Sequence, residues 1–183
     1  MYKTQRNYEN LNKALFDGTG QYGIPVIQAT DYKADNWIGF NYAKGCEEPE
    51  IHGVHFFLDD YQFIRVWSQP DVYLNMLRKF QAVCTPDFSL YTDFPRVIQI
   101  YNHYRKHWLG AYWQMHGIRV IPTICWSKEA GRLFKAGYEE MLRRLRPKEI
   151  IMYGNIPEWC EGNIIPVRAF QEKFRRQSLT EKK

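Results

Sequence analysis

The sequence has few of the short patterns that identify a known chemistry, and its cysteines illustrate this. It contains four cysteines and no C-x-x-C pair, so nothing in it favours a zinc ribbon or a thioredoxin-like redox motif. No stretch approaches the roughly 20 consecutive apolar residues that a membrane span needs. The polar N-terminal stretch also lacks the apolar core of a signal peptide. These absences predict a cytoplasmic protein with reduced cysteines and no membrane partner.

Common catalytic motifs are missing as well. The glycine-rich segment 18–23 is not followed by the Gly-Lys-Ser/Thr of a P-loop, and no G-x-S-x-G elbow occurs. His103 and His107 are spaced as metal ligands on a helix, but the segment NHYRKHW lacks the Glu of H-E-x-x-H and holds two cations between the histidines. His52 and His55 have no obvious third ligand. We therefore expect no metal and no other cofactor.

Charge and aromatic content are the most informative features that are present. Residues 1–60 hold 5 Lys/Arg against 9 Asp/Glu, whereas residues 61–183 hold 20 against 11, a net charge of +9. A basic surface can bind a polyanion or an acidic protein. Alternatively, the Lys and Arg residues simply lie on the solvent-exposed faces of helices. Aromatic residues make up 16%, with 13 Tyr and 6 Trp. Tyr and Trp are enriched at interfaces and also fill cores, so composition favours a binding protein only weakly.

Alternating apolar patterns predict one α/β domain over residues 1–183, with a mostly parallel sheet of about 5–6 strands covered by helices. The predicted strands are 24–29, 37–43, 54–60, 82–87, 118–126, 149–154 and 164–168. The predicted helices are 8–16, 69–80, 95–116 and 129–146, with a further helix in a basic C-terminal tail at about 169–183.

The longest predicted helix, 95–116, opens with Asp93 as its N-cap and ends at Gly117. Its apolar and aromatic residues recur at helical spacing, which predicts one buried face. That face consists of Val97, Tyr101, Tyr104, Trp108, Tyr112 and Met115.

Acidic residues follow several predicted strands. Ligands of parallel sheets gather at the carboxyl ends of the strands, where Asp59, Asp60, Asp87 and Asp93 lie. Clustered carboxylates bind Mg²⁺ or act as acid and base, so Asp59, Asp60 and Asp87 are the candidate catalytic residues of a metal-dependent phosphodiesterase or nuclease. The alternative is that they accept backbone hydrogen bonds in strand-to-helix loops.

Basic residues beside aromatic ones form the candidate surface for a protein partner or nucleic acid. Lys and Arg gain affinity for phosphates by releasing counterions, and neighbouring rings stack on exposed bases. The same pattern also describes solvated helix faces. The candidates are Arg105, Lys106, Arg132, Lys135, Arg143, Arg144, Arg146, Lys148, Lys173, Arg175 and Arg176.

The stretch 53–127 carries four blocks: FFLDDYQF, TPDFSLYTDFP, the run N-x-Y-R…W-L-G-A-Y-W-Q, and IPT-x-x-WS. In these blocks it resembles a family of proteins carried by phages, plasmids and gut Firmicutes, and the segment KAGYEEMLRRLRP…I-x-x-YG is similar too. Longer relatives have another strand-containing unit after the WS motif, whereas here Trp126-Ser127 leads almost directly into the helix predicted from 129. The resemblance therefore implies that any ancestral catalytic site at the sheet edge after the WS motif lacks one of its sides in this chain.

The resemblance includes a gut-bacterial anti-CRISPR protein of similar length. It implies a protein that binds the type II CRISPR effector nuclease with its guide RNA, with or without DNA, and blocks cleavage without catalysis. Two alternatives stay open beside this: the phosphodiesterase or nuclease, and a nucleic-acid-binding accessory protein of a phage or plasmid. Exposed rings on the long helix would also suit a homodimer.

Overall fold

The computed structural model describes residues 13–28, 34, 36–91, 93–123, 150–152 and 164–166. Its strands are β1 (Gly18–Thr19), β2 (Ile24–Pro25), β3 (Asn36–Gly39), β4 (His52–His55), β5 (Ala82–Cys84), β6 (Val120–Ile121), β7 (Ile150–Met152) and β8 (Ile164–Pro166). Its helices are α1 (Phe40–Ala43), α2 (Asp60–Phe63), α3 (Arg65–Ser68), α4 (Pro70–Leu77) and α5 (Arg96–Met115), with a 3₁₀ turn at Pro49–Ile51.

A parallel sheet with the order β3-β4-β5-β6 forms the centre of the fold. Val54, Val83 and Val120 lie side by side across it and are fully buried. Parallel neighbours need a crossover connection, and α1 to α5 supply these connections. The α/β prediction is confirmed. Within the described ranges the central sheet has four strands; β1 and β2 form an antiparallel hairpin, and β7 and β8 form a separate parallel pair.

Helix α4 follows the rules that its sequence suggests. Pro70 occupies its first turn, where the missing N–H costs no hydrogen bond and φ is already helical. Leu74 and Leu77 point inward and are buried. The helix ends at Leu77 rather than at the predicted residue 80, and a turn brings Phe80 into the core just before β5.

Helix α5 begins and ends almost where its sequence predicts. Gly117 adopts φ +74° after the last turn, a conformation that favours glycine at a helix end. Pro95, rather than the predicted Asp93, is the N-cap residue. The predicted buried face is correct only in its middle turns, because Val97 and Met115 are 68% and 56% exposed.

Aromatic rings dominate the core between the sheet and α5. Phe56 stacks on Trp113 with 5.5 Å between ring centroids, and Trp67 meets Trp108 edge-on at 5.4 Å. Aromatic pairs at these separations add about 0.5–1.5 kcal/mol beyond the area they bury. A large share of the unusual aromatic content therefore serves packing, which reduces its value as a sign of an interface.

Several predicted elements have other conformations. A helix was predicted over residues 8–16, but residues 13–17 are not helical. Residues 1–12 lie outside the described ranges. Lys13 is buried there, and its Nζ donates to the Trp67 carbonyl at 2.6 Å, 4.0 Å from that ring's centroid. The predicted strand 37–43 turns into α1 at Phe40, and Asp60, predicted to end a strand, begins α2. The predicted helix at 129–146 and the tail at 169–183 also lie outside the described residues.

Gly110 allows α5 to pack closely on its neighbours. A Cβ there would lie 2.6 Å from Ile27 Cδ1 and 2.9 Å from Thr85 Cγ2. Alanine is the better helix former by about 1 kcal/mol, but overpacking costs about 1–3 kcal/mol. We therefore expect Gly110→Ala to lower the free energy of unfolding in urea by about 1–2 kcal/mol. The control is Gly45→Ala, whose Cβ would meet nothing closer than 3.9 Å. A stabilised Gly110→Ala variant would contradict the expectation.

Candidate functional site

The candidate site is the edge of the sheet where the parallel strands end. Asp60 follows β4 at the start of α2, and Asp87 follows β5 in the loop toward α5. The next strand, β6, is followed by Thr123. This is the edge at which open α/β sheets bind ligands, and the structure brings Asp60 and Asp87 to its loops as the sequence predicts.

Asp60 links three elements of this edge. Its Oδ1 accepts hydrogen bonds from the Ser89 backbone N–H at 3.1 Å and the Ser89 hydroxyl at 2.9 Å. The Ser89 carbonyl in turn accepts from Asn102 Nδ2 of α5 at 2.7 Å. The carboxylate thus fastens α2 to the β5–α5 loop, and that loop to the long helix. Asp59 is exposed, and its side chain makes no capping bond.

Lys106 and Asp87 form an ion pair inside the same edge. Lys106 Nζ lies 3.7 Å from Asp87 Oδ1, and the two side chains are 2% and 14% exposed. The prediction that Lys106 contacts a partner on the surface is therefore wrong, because its ammonium group is enclosed by the protein. Sequence reasoning placed Lys106 on the candidate partner surface, as a basic residue beside aromatic ones, whereas that side of the helix faces the loop that carries Asp87.

Arg105 is half-buried at the rim of this network. Its guanidinium donates to Asn102 Oδ1 at 2.5 Å and lies 4.0 Å from the Phe88 ring centroid and 4.9 Å from that of Tyr101. A guanidinium over an aromatic face is attracted by the ring's quadrupole. Arg105 therefore has a fixed orientation, which lowers the entropy it would lose on binding a partner.

A pair of threonines closes the edge between β5 and β6. The Thr85 and Thr123 hydroxyls are 2.8 Å apart, and Thr85 Oγ1 also accepts the Thr123 backbone N–H at 2.8 Å. Both residues are buried. Sequence reasoning missed this pair and the hydrogen bond from Asn102 to the Ser89 carbonyl, because each joins groups from two different segments of the chain.

Asp59, Asp60 and Asp87 do not gather into a set of metal ligands with other described residues. Across the described part of the chain, no group of three or more His, Cys, Asp or Glu side chains lies close enough to hold an ion. The three aspartates of the enzyme alternative are thus not assembled as a set of ligands, and Asp60 and Asp87 contact Ser89 and Lys106 instead.

The other basic candidates are located elsewhere in the sequence. They lie outside the described residues, so their contact with a partner stays a prediction. They are Arg132, Lys135, Arg143, Arg144, Arg146, Lys148, Lys173, Arg175 and Arg176.

The comparison with protein families decides where this chain belongs. A family model described as "Domain of unknown function (DUF4417)" matches residues 16–132. The chain is a member of the DUF4417 family. The matched region contains the parallel sheet, α5 and the whole Asp60–Asp87 network, and it ends before the basic residues at 143–148.

Two phage proteins are similar to this DUF4417 chain. The "Gene 1 protein" of Mycobacterium phage D29 is 35% identical over 190 residues, which cover 87% of this chain and 70% of the phage protein. The "Gene 1 protein" of Mycobacterium phage L5 is 31% identical over 201 residues, which cover 93% and 88%. No solved structure matches the chain. The phage part of the resemblance is thereby confirmed.

Two cysteines of the DUF4417 region are free thiols in the structure. Cys84 is buried in β5 and Cys46 is half-buried. Burial, followed by the nearby charge of Asp87, raises the pKa of the Cys84 thiol. A thiol is a poor nucleophile unless it ionises, so Cys84 acts as a small apolar core residue.

Three histidines of the DUF4417 region, His55, His103 and His107, have lowered pKa values. His55, buried at the end of β4, accepts the Phe57 backbone N–H at 3.4 Å, and burial lowers its pKa to about 4. Burial, followed by the charge of Lys106, lowers the pKa of His107 to about 4. Burial, followed by the charges of His107 and Lys106, lowers the pKa of His103, although part of its side chain is exposed.

The lowered pKa of His55 predicts a loss of stability in acid. An unfolded histidine takes up a proton near pH 6.5, whereas the folded ring resists protonation down to about pH 4. The contribution is therefore complete above pH 6.5 and falls as the pH drops toward 4. We expect the free energy of unfolding in urea to drop by about 2 kcal/mol more between pH 7 and pH 5 in the wild type than in His55→Gln. Equal pH dependence in the two proteins would contradict the assignment.

No helix among the described residues has both the length and the apolar character needed to cross a membrane.

Proposed function

We propose that this protein acts by stoichiometric binding and inhibits the guide-loaded type II RNA-guided DNA nuclease. The observation that supports binding over catalysis is the internal engagement of the strand-end carboxylates. Asp60 accepts hydrogen bonds from Ser89, and Asp87 pairs with Lys106. A general base must reach its substrate's proton, and a metal ligand must offer its lone pairs to the ion. These contacts instead hold the loops in place.

The choice of partner rests on the resemblance and on the phage relatives. The resemblance of residues 53–127, in the four sequence blocks, implies a family that includes an inhibitor of this nuclease. A phage that encodes such an inhibitor would protect its own DNA from cleavage. The net charge of +9 over residues 61–183 suits a partner that presents RNA, DNA and acidic protein surface.

Exposed tyrosines beside the carboxyl edge suit the centre of such an interface. Tyr42 of α1 and Tyr61 of α2 are 69% and 76% exposed, and the two short helices contact each other. Arg65 of α3 is also exposed. Tyr and Arg are enriched among the residues that dominate binding energies, so we include these three side chains in the proposed partner surface.

The decisive experiment is a DNA cleavage assay with guide-loaded nuclease at a fixed concentration and increasing amounts of this protein. We expect cleavage to stop near one inhibitor per nuclease. Complete inhibition by a small fraction of an equivalent would contradict stoichiometric binding and favour an enzyme. The matched pair Asp60→Asn and Asp59→Asn strengthens the test: folded Asp60→Asn should inhibit like Asp59→Asn, whereas a selective loss in Asp60→Asn would support catalysis.

Surface variants test the partner face separately. Tyr42→Ala/Tyr61→Ala should raise the inhibitor concentration needed for half-inhibition by about tenfold or more, because hot-spot truncations cost about 2 kcal/mol. Tyr22→Ala, an exposed tyrosine in the β1–β2 turn, serves as the control. If the double variant and the control inhibit equally, the tyrosines lie outside the interface.

Salt dependence tests the basic contact and the accessory-protein alternative. Charge reversal at Arg143, Arg144 and Arg146 should weaken inhibition and flatten its dependence on salt. A triple variant that inhibits like wild type would remove this contact from the proposal. Gel shifts with nucleic acid alone, and then with the nuclease complex, separate the two functions, because an accessory protein would bind nucleic acid tightly without the nuclease.

A further inference from the structure

A pocket lies between the β1–β2 hairpin and helix α5, and none of its lining residues belongs to the Asp60–Asp87 network. Its volume is about 550 Å³. Hairpin residues between Thr19 and Ile27 form one side, and His103 and His107 of α5 form the other. Neither the family match nor the proposed inhibition assigns a role to these two histidines.

The two imidazole rings face each other across one turn of the helix. Their centroids are 4.3 Å apart and their planes are tilted by 56°. His107 Nδ1 lies 3.0 Å from the Pro25 carbonyl oxygen. Because a carbonyl oxygen can only accept, Nδ1 carries the proton and Nε2 keeps its lone pair. Histidines that bind metals commonly hold their second ring nitrogen in this way, with the N–H donated to a backbone carbonyl.

Arg105 and Lys106, the two cations between these histidines in the sequence, make contacts outside the pocket. Lys106 is enclosed in the ion pair with Asp87, and Arg105 lies against the rings of Phe88 and Tyr101. The sequence-based objection to a metal ion was that these two cations would repel it. In the fold the Lys106 charge is partly offset by Asp87, and neither cation lines the pocket.

We propose that His103 and His107 bind a divalent transition-metal ion in this pocket, with water at the remaining coordination positions. Imidazole nitrogens suit Cu²⁺, Ni²⁺ and Zn²⁺, whereas Mg²⁺ and Ca²⁺ prefer oxygen ligands. The usual order of divalent affinities predicts the tightest binding for Cu²⁺. Because His107 is hydrogen-bonded to Pro25, the bound ion would also fix the hairpin against α5. The proposal does not depend on the inhibition proposed above.

The test is a calorimetric titration of the full chain with Ni²⁺ alone at pH 7.5 in a buffer that does not bind metals. We expect one ion per chain and a loss of affinity of about tenfold or more in both His103→Ala and His107→Ala, since removing even a supporting residue of a metal site costs about 10–100-fold. His52→Ala is the matched control. The His52 ring also contacts a backbone carbonyl, Glu48 O at 2.7 Å, but it lies at the start of β4, away from the pair.

Two further readouts distinguish a lost ligand from a damaged fold. Ni²⁺ should raise the melting temperature of wild type and His52→Ala, and not that of either pair variant. With Cu²⁺, electron paramagnetic resonance should show two imidazole nitrogens in wild type and one after either substitution. If a variant loses its circular dichroism signal, His103→Gln and His107→Gln replace it. Unchanged Ni²⁺ affinity in folded pair variants, an equal loss in His52→Ala, or Mg²⁺ binding as tight as Ni²⁺ would each overturn the proposal.

Discussion

Replacing Lys106 with Met is expected to lower the free energy of unfolding by about 3 kcal/mol, because it removes the cation that lies beside the largely buried Asp87 carboxylate. Met keeps the length of the side chain, so the change removes charge with little loss of packing. Lys106 is 2% exposed and its Nζ lies 3.7 Å from Asp87 Oδ1. Urea unfolding measures the effect, and Lys79→Met, at an exposed lysine, should change stability by no more than about 0.5 kcal/mol.

A double-mutant cycle isolates the ion pair from other effects of the substitution. Lys106→Met and Asp87→Asn should each destabilise the protein, and the double variant should lose less than the sum of the two. Additive losses would show that the pair contributes no coupling. A Lys106→Met protein as stable as wild type would mean that the ammonium group is not held at this edge.

Trp108→Ala is expected to have a comparable or larger effect, about 4 kcal/mol, because removing a buried Trp leaves a cavity that its neighbours fill only partly. Trp108 is fully buried, stacks on Tyr112 at 4.7 Å and meets Trp67 edge-on. Its indole N–H donates to the Ala14 carbonyl at 2.8 Å. The free energy of unfolding in urea is the measurement. It is followed by far-ultraviolet circular dichroism, because the substitution itself changes the tryptophan fluorescence.

Two matched variants separate the contributions of Trp108. Met115→Ala removes an apolar side chain from the last turn of the same helix, where it is 56% exposed, and should cost less than about 1 kcal/mol. Trp108→Phe keeps most of the ring packing but leaves the Ala14 carbonyl without its donor, for an expected loss of about 1–3 kcal/mol. Equal losses for Trp108→Ala and Met115→Ala would place Trp108 outside the core.

The sequence predicted the class of fold because its signals are local. Val54, Val83 and Val120 lie in separate apolar runs, and Pro70 and Gly117 mark helix ends by their own backbone preferences. The prediction of a single strand over the run WIGFNYA was wrong, because a short apolar run does not distinguish a strand from a helix. Its second half is α1, which begins at Phe40.

The candidate site could be placed from the sequence but not described from it. Asp60 and Asp87 were found because they follow apolar strands, yet their partners come from other segments. Ser89 is 29 residues from Asp60 in the chain, and no periodic pattern reports such a contact. Lys106 was assigned to the candidate partner surface because it is a basic residue beside aromatic ones; only the folded loop supplies the carboxylate that permits its burial.

The strands of the central sheet lie side by side in the order in which they occur along the chain. Each strand therefore pairs with the strand that precedes it in the chain, and only the segment between the two has to be closed into a loop. The chain entropy lost at each step is therefore small compared with that of a parallel sheet whose neighbouring strands are far apart in sequence. A ribosome releasing this chain would present β3, β4, β5 and β6 one after another, each able to dock on an edge already formed. We expect the sheet to assemble progressively from its β3 side during synthesis.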